Sequence, residues 1–212
     1  YSRSQYYKNL LDHLDIEEVI VVAISAGGST GIEFARLYNQ CCKALITLAP
    51  AVQPLPEDKQ RLTRILDTIL HLPANDFVSW CLTKMLILAL PIGARVSPMI
   101  SDDLVTDENV YQQHVKWVEG FFPVSIRVKG FENDIRLLAS LPLKHLSEVN
   151  VPVLLLHGAA DQVVPTSHSD FLKNNLLHAH HHIIQDNAGH AFHVTHRDEV
   201  WNKISGFIAT AA

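Results

Sequence analysis

The spacing of apolar positions changes several times along the chain. Tyr7, Leu10, Leu11 and Leu14 follow the i, i+3, i+4, i+7 spacing of one helical face, and the β-branched run Val19 to Ile24 then reads as a buried strand. Gly27 and Gly28 break that run, after which Ile32, Ala35 and Tyr38 predict a helix to about Asn39. Ala44 to Leu48, ended by Ala49 and Pro50, predicts a second buried strand. From about Ala51 to Val149 the signals are helical: Leu62, Ile65, Leu66 and Ile69 mark one face, and Tyr111, His114, Val115 and Val118, with Phe121 and Phe122, mark another. The very apolar Phe77 to Leu90 lies between them. Strand signals return at Val151 to Leu156 and near His181 to Gln185, separated by a helix around Ser169 to Leu177. Val200, Trp201, Ile204, Phe207 and Ile208 mark a last helix.

Apolar strands that alternate with helices imply an α/β fold with a mostly parallel sheet covered on both faces. The expected organisation is a core built from residues 1–50 and 149–212, with residues 51–148 as a helical insertion.

Composition narrows the partners. The 212 residues are 48% hydrophobic and 18% charged, enough apolar surface for one sizeable core, and the net charge of -5 is spread without a Lys/Arg cluster. A small-molecule substrate is the expected partner, with no nucleic acid and no membrane. Phe77 to Ile92 is too short to span a bilayer, contains Lys84 and has Pro91 near its end. Three cysteines, two of them the adjacent Cys41 and Cys42, do not make a disulfide framework; a reducing, cytoplasmic compartment is expected.

The chemistry is concentrated at three strand ends. Ala23-Ile24-Ser25-Ala26-Gly27-Gly28 sits where a strand turns sharply into a helix, a turn that projects a serine hydroxyl above the sheet and demands small residues two places either side. Ala23 and Gly27 fill those places, alanine standing where the usual GxSxG pattern has its first glycine. The same turn aims the Ala26 N–H at the position of a developing oxyanion. A phosphate-binding loop would need a GK[ST] ending or GxGxxG, and neither is present. After the third strand, His157-Gly158-Ala159-Ala160-Asp161-Gln162-Val163-Val164-Pro165 places Asp161 at a carboxyl edge, where it can orient an imidazole. His157 is expected to be a packed, hydrogen-bonded strand-end residue. Asp186-Asn187-Ala188-Gly189-His190 then supplies a base, one helix and one strand after Asp161. Among 13 histidines, His193 and His196 are the rivals. The order Ser, Asp, His differs from those of the chymotrypsin and subtilisin arrangements.

With these motifs the sequence resembles the α/β-hydrolase superfamily over about residues 5 to 50 and 148 to 210, the helical insertion standing where capped, esterase-like members carry their cap. Arg127 to Asp134 also resembles a stretch preceding the acid strand in such members. The resemblance implies a serine hydrolase with Ser25 as nucleophile, Asp161 as acid, His190 as base and Ala26 as oxyanion donor, forming an acyl-enzyme without metal or organic cofactor. Serine rather than aspartate at the elbow disfavours haloalkane dehalogenase and epoxide hydrolase chemistry. Esterases, lipase-like enzymes, C–C bond hydrolases, iminopeptidase-like amidases and perhydrolases remain. Trp80, Trp117, Phe121 and Phe122 are candidate substrate-binding residues, although packing of the cap alone would also explain them.

Two other readings stay open: a non-catalytic protein of this fold that binds a ligand or partner, and metal binding by the tract His178, His180, His181 and His182, in which His180 and His182 would share a face. A solvated strand entrance is the plainer expectation for that tract. Residues 1–18 leave room for one helix before the elbow strand, whereas the family pattern has several strands there and a second oxyanion donor on one of their loops. The chain is therefore expected to be a carboxy-terminal portion of a longer hydrolase, with an exposed apolar edge at Val19 to Ile24, poor solubility and low activity on its own.

Overall fold

The computed structural model describes residues 2–54, 56, 68, 71, 75–93, 107–138, 143–184 and 187–211. Helix α1 (Arg3–His13) leads into β1 (Val19–Ile24), α2 (Gly27–Leu37) and β2 (Cys42–Leu48). Helices α3 (Asn75–Gly93), α4 (Glu108–Glu119) and α5 (Val128–Leu138) follow, with a 3₁₀ turn at Ser125–Arg127. The chain then returns through β3 (Val153–Gly158), α6 (Ser167–Asn175), β4 (Ala179–Ile184), the short α7 (Phe192–Thr195) and α8 (Arg197–Ala211). The four strands form one parallel sheet in the order β1-β2-β3-β4. This is the α/β architecture that the sequence pattern implies.

The two central strands are apolar at nearly every position because both of their faces are covered. Leu45, Val153 and Leu155 join a core with Ile32, Phe34 and Ala35 of α2 and Leu172 of α6. Ala44, Ile46, Leu48, Leu154 and Leu156 point the other way, toward Phe192 and the α8 residues Val200, Ile204 and Phe207. Removing a buried side chain as large as Phe192 typically costs about 3–5 kcal/mol, so either half of this core is a substantial part of the fold's stability.

The expectation that β1 is buried is corrected. Val22 and Ile24, which share one face of the strand, are 54% and 42% exposed, and among the described residues β1 pairs with β2 alone, at the edge of the sheet. The expected apolar edge is thus present. A groove of about 320 Å³ runs between α1 and β1, lined by residues that include Tyr7, Leu10, Val22 and Phe34.

Between β2 and β3 the described residues form helices and no strand. Asp107 caps α4, its Oδ1 accepting from the Asn109 and Val110 N–H groups at 2.8 and 3.2 Å. The Lys84 ammonium reaches Glu119 Oε1 at 2.5 Å, tying α3 to α4. Leu62, Ile65, Leu66 and Ile69, read as a helical face, lie outside the described residues. Arg127 to Asp134 falls on the 3₁₀ turn and α5. No described helix is long and apolar enough to cross a membrane.

Candidate active site

Three carboxyl ends of parallel strands converge. Ser25 follows β1 directly and adopts a left-handed backbone with φ 52°. A non-glycine residue there costs on the order of 1–3 kcal/mol and persists only where its surroundings over-determine it. Here the Ser25 N–H donates to the Leu48 carbonyl, and its own carbonyl accepts from the Gly28 and Ala51 N–H groups, each at 2.9 Å. Ala26 then begins the turn into α2, which puts the positive end of that helix beside the serine.

The reason the turn needs small residues differs in part from the sequence expectation. A Cβ on Gly27 would meet nothing within 4 Å. The close approaches are one and four residues later: a Cβ on Gly28 would lie 2.6 Å from Pro50 Cβ, and one on Gly31 would lie 2.6 Å from Ala23 Cβ. Ala23 is therefore constrained by helix α2 lying against its strand, whereas Gly27 is not.

Asp161 lies in the loop after β3 with its carboxylate fully buried. Its Oδ1 accepts from the Val163 and Val164 N–H groups at 2.8 and 2.9 Å, which closes the turn leading toward α6. Its Oδ2 faces His190 Nδ1 at 2.8 Å. Burial alone would raise the pKa of this carboxyl, but hydrogen bonds from His157 and His190, the His190 charge and the Val164 N–H hold it well below the usual carboxylate range. Asp161 is thus an anion that accepts only, so His190 donates through Nδ1–H and its Nε2 carries the lone pair. That lone pair accepts from the Ser25 hydroxyl at 3.0 Å.

His190 is carried by a loop held tightly to the sheet. Asn187 takes the left-handed turn at φ 61°, Ala188 and Phe192 are fully buried, and Gly158 at the end of β3 meets the loop backbone without room for a side chain. The structure therefore brings Ser25, Asp161 and His190 into one line, an arrangement in which a hydroxyl can pass its proton to an imidazole oriented by a carboxylate.

Rival histidines have other partners. His193, on α7, stacks edge-on against Trp117 at 5.6 Å and against Phe192. His196 caps the end of α7 and contacts the Thr195 hydroxyl at 2.7 Å. His157 is packed and hydrogen-bonded as expected, but it also reaches Asp161, a contact that motif reading did not foresee.

The aromatic candidates divide. Trp117 of α4 packs on His193, three residues after His190, and Phe121 stacks edge-on against Trp117 at 5.1 Å. Phe121 is 45% exposed and Phe122 is half-buried. Trp80 is 48% exposed on α3, with the Lys84 ammonium 6.0 Å from its ring. In the histidine tract, His180 and His182 are exposed and His181 is half-buried, and His180 stacks on Phe207. Among the described residues no group of three or more His, Cys, Asp or Glu side chains is placed to hold a metal ion.

Residues 4–199 match the family model of serine aminopeptidase S33 hydrolases. The chain belongs to this α/β-hydrolase family. This S33-family hydrolase is 33% identical over 195 residues to an uncharacterized hydrolase of Bacillus subtilis (strain 168), a match that covers 85% of the chain and 67% of the relative. It is 25% identical over 201 residues to poly(3-hydroxyalkanoate) depolymerase of Ectopseudomonas oleovorans, covering 94% of the chain and 64% of that enzyme. The chain thus spans about two thirds of the length of these curated relatives.

Among solved structures it superposes on an α/β-hydrolase enzyme from a Medee basin deep-sea metagenome library, with a TM-score of 0.70 and 21% identity over 98% of the chain and 70% of that structure. It also superposes on the meta-cleavage product hydrolase of Pseudomonas fluorescens IP01, with a TM-score of 0.66 and 18% identity over 99% of the chain and 71% of that structure. At these identities the structures share the fold alone.

Proposed function

We propose that the S33-family chain cleaves an ester or related acyl bond of a small, hydrophobic substrate through an acyl-enzyme on Ser25. The observation that carries this reading is the hydrogen-bonded line from Ser25 Oγ through His190 to Asp161, with links of 3.0 and 2.8 Å.

In this mechanism Ser25 Oγ attacks the substrate carbonyl carbon while His190 Nε2 takes the hydroxyl proton, and Asp161 stabilises the imidazolium that forms. Negative charge moves to the carbonyl oxygen, where the Ala26 N–H and the start of α2 receive it. Collapse of the tetrahedral adduct expels the alcohol, which leaves with the proton from His190. Water, deprotonated by the same nitrogen, then releases the acid and restores Ser25. No metal or organic cofactor enters these steps.

The preference for an apolar acyl group is supported by Trp117, Phe121 and Phe122 on the insertion, which we read as a cap covering residues 51–148 and bearing on the base through His193. The depolymerase relative is named for a polyester, which favours an ester over an amide. The serine aminopeptidase family name keeps amide cleavage as the competing specificity.

The test is hydrolysis of p-nitrophenyl esters of increasing acyl length, with the acyl-enzyme trapped by rapid acid quench and located by mass spectrometry. The acyl group is expected on Ser25, with turnover rising with chain length. Acylation at another residue, or ester turnover unchanged in Ser25→Ala, would overturn the reading.

A further inference from the structure

Behind Asp161 lies a second buried chain of hydrogen bonds. His157 ends β3 with its side chain fully buried, and Ser169, in the first turn of α6, is fully buried as well. His157 Nε2 lies 2.9 Å from the Val164 carbonyl and 3.2 Å from Asp161 Oδ2, and its Nδ1 lies 2.7 Å from Ser169 Oγ. The Val164 carbonyl and the ionised Asp161 can only accept, so Nε2 carries the proton. Nδ1 is then the acceptor and the Ser169 hydroxyl donates to it. The acceptors at Nε2 thus set the tautomer, and Ser169 satisfies Nδ1 and anchors the ring facing the carboxylate.

The consequence falls on one oxygen. Asp161 Oδ1 is occupied by the two backbone N–H groups of its own turn, whereas Oδ2 is shared between His190 Nδ1–H and His157 Nε2–H. We propose that His157, locked by Ser169, is a positioning residue that holds Asp161 Oδ2 in line with His190; the proposal rests on the reading of Ser25, His190 and Asp161 as the reacting line.

The neighbouring residue on α6 serves the other arm. His168 Nδ1 accepts from the Val52 and Gln53 N–H groups at 3.1 and 3.2 Å, in the loop whose Ala51 N–H donates to the Ser25 carbonyl. Consecutive residues of one helical turn thus hold the acid arm and the nucleophile arm together. Among the described residues the titratable groups facing this cluster are His157, Asp161, His168 and His190, with His181 beside His157 and His193 beside His190.

Loss of the His157 donor leaves the buried Asp161 charge less satisfied, so it draws the His190 proton more strongly. The test follows His190 directly by histidine NMR titration, and Ser25 phosphonylation by a fluorophosphonate as a function of pH, in the full chain and in three variants. His157→Leu removes the donor and is expected to raise the His190 midpoint by about one pH unit, lowering the phosphonylation rate about 10-fold at pH values below the wild-type midpoint. His157→Gln keeps a donor toward Asp161 and an acceptor toward Ser169, and is expected to restore both readouts. Ser169→Ala leaves Nδ1 without its hydroxyl partner and the ring less firmly held, and is expected to shift the midpoint in the same direction by less.

An unmoved His190 midpoint in a folded His157→Leu, with any rate loss tracking the melting temperature, overturns the positioning role. If His157→Leu does not fold, Ser169→Ala decides: an upward midpoint supports the role and an unchanged one overturns it. If wild-type Ser25 is not labelled above the Ser25→Ala background, the reacting-line reading fails by itself, and the NMR midpoints still decide whether His157 acts on His190 through Asp161.

Discussion

Gly158 and Ala188 touch backbone to side-chain position: a Cβ on Gly158 would lie 2.3 Å from the Ala188 carbonyl oxygen and 2.5 Å from that of Gly189. The end of β3, which carries the acid loop, is thus pressed against the loop that carries His190. Gly158→Ala must push that loop away, and overpacking of this kind costs about 1–3 kcal/mol. We expect a lowered urea midpoint and at least a 10-fold fall in Ser25 phosphonylation, whereas Gly27→Ala, with open space around it, leaves both near wild type.

The contact between Gly31 and Ala23 makes a paired prediction. Gly31→Ala sets its Cβ 2.6 Å from Ala23 Cβ and 3.2 Å from Leu45 Cδ1. The single variant is expected to lose about 1–3 kcal/mol in chemical denaturation. Adding Ala23→Gly, which also restores the usual glycine of the elbow motif, recovers part of that loss. Simple addition of the two single effects would show that the strand and helix do not meet there.

Burial pushes both His168 and His193 down to about 4 from the ordinary 6.5, with help from the charge of His157 on the first and from those of His190 and His114 on the second. Unfolded, each takes up a proton near pH 6.5; folded, each resists until about pH 4. Between those values the unfolded chain binds more protons, so stability is full above pH 6.5 and falls as pH drops toward 4. Urea midpoints measured from pH 7.5 to 4.5 should decline through this window. His168→Asn, which keeps an acceptor for the Val52 N–H but does not titrate, should flatten the decline.

Val22 and Ile24 expose apolar side chains on an edge strand whose outer backbone groups have no strand partner among the described residues. Val22→Lys is expected to reduce light scattering on concentration without lowering the melting temperature. Unchanged aggregation would show that another surface drives it.

Much of this architecture was legible in the sequence because β2 and β3, covered on both faces, produce unbroken apolar runs that only a buried parallel strand explains. β1 produces the same run, yet it is half exposed; the run records what a strand is suited to pack against, not which neighbours are present. The meeting of Ser25, Asp161 and His190 was readable because each directly follows a strand or a Gly-containing turn. His157 was readable as a packed histidine, but its contact with Asp161 was not, since it depends on how the 161–164 turn folds the carboxylate back toward its own strand. The requirement for glycine at 28 and 31 rather than 27 is likewise set by the packing of α2 on β1 and Pro50.

The most direct test of Ser25 as the activated nucleophile is fluorophosphonate labelling of the purified chain, with the modified peptide identified by mass spectrometry. Labelling confined to Ser25 is expected, with a rate that falls about 100-fold or more in His190→Gln, since that change removes the general base. Absence of label on Ser25 in folded protein, or equal labelling in His190→Gln, would contradict the serine hydrolase mechanism and leave the chain a hydrolase-fold protein that binds rather than cleaves.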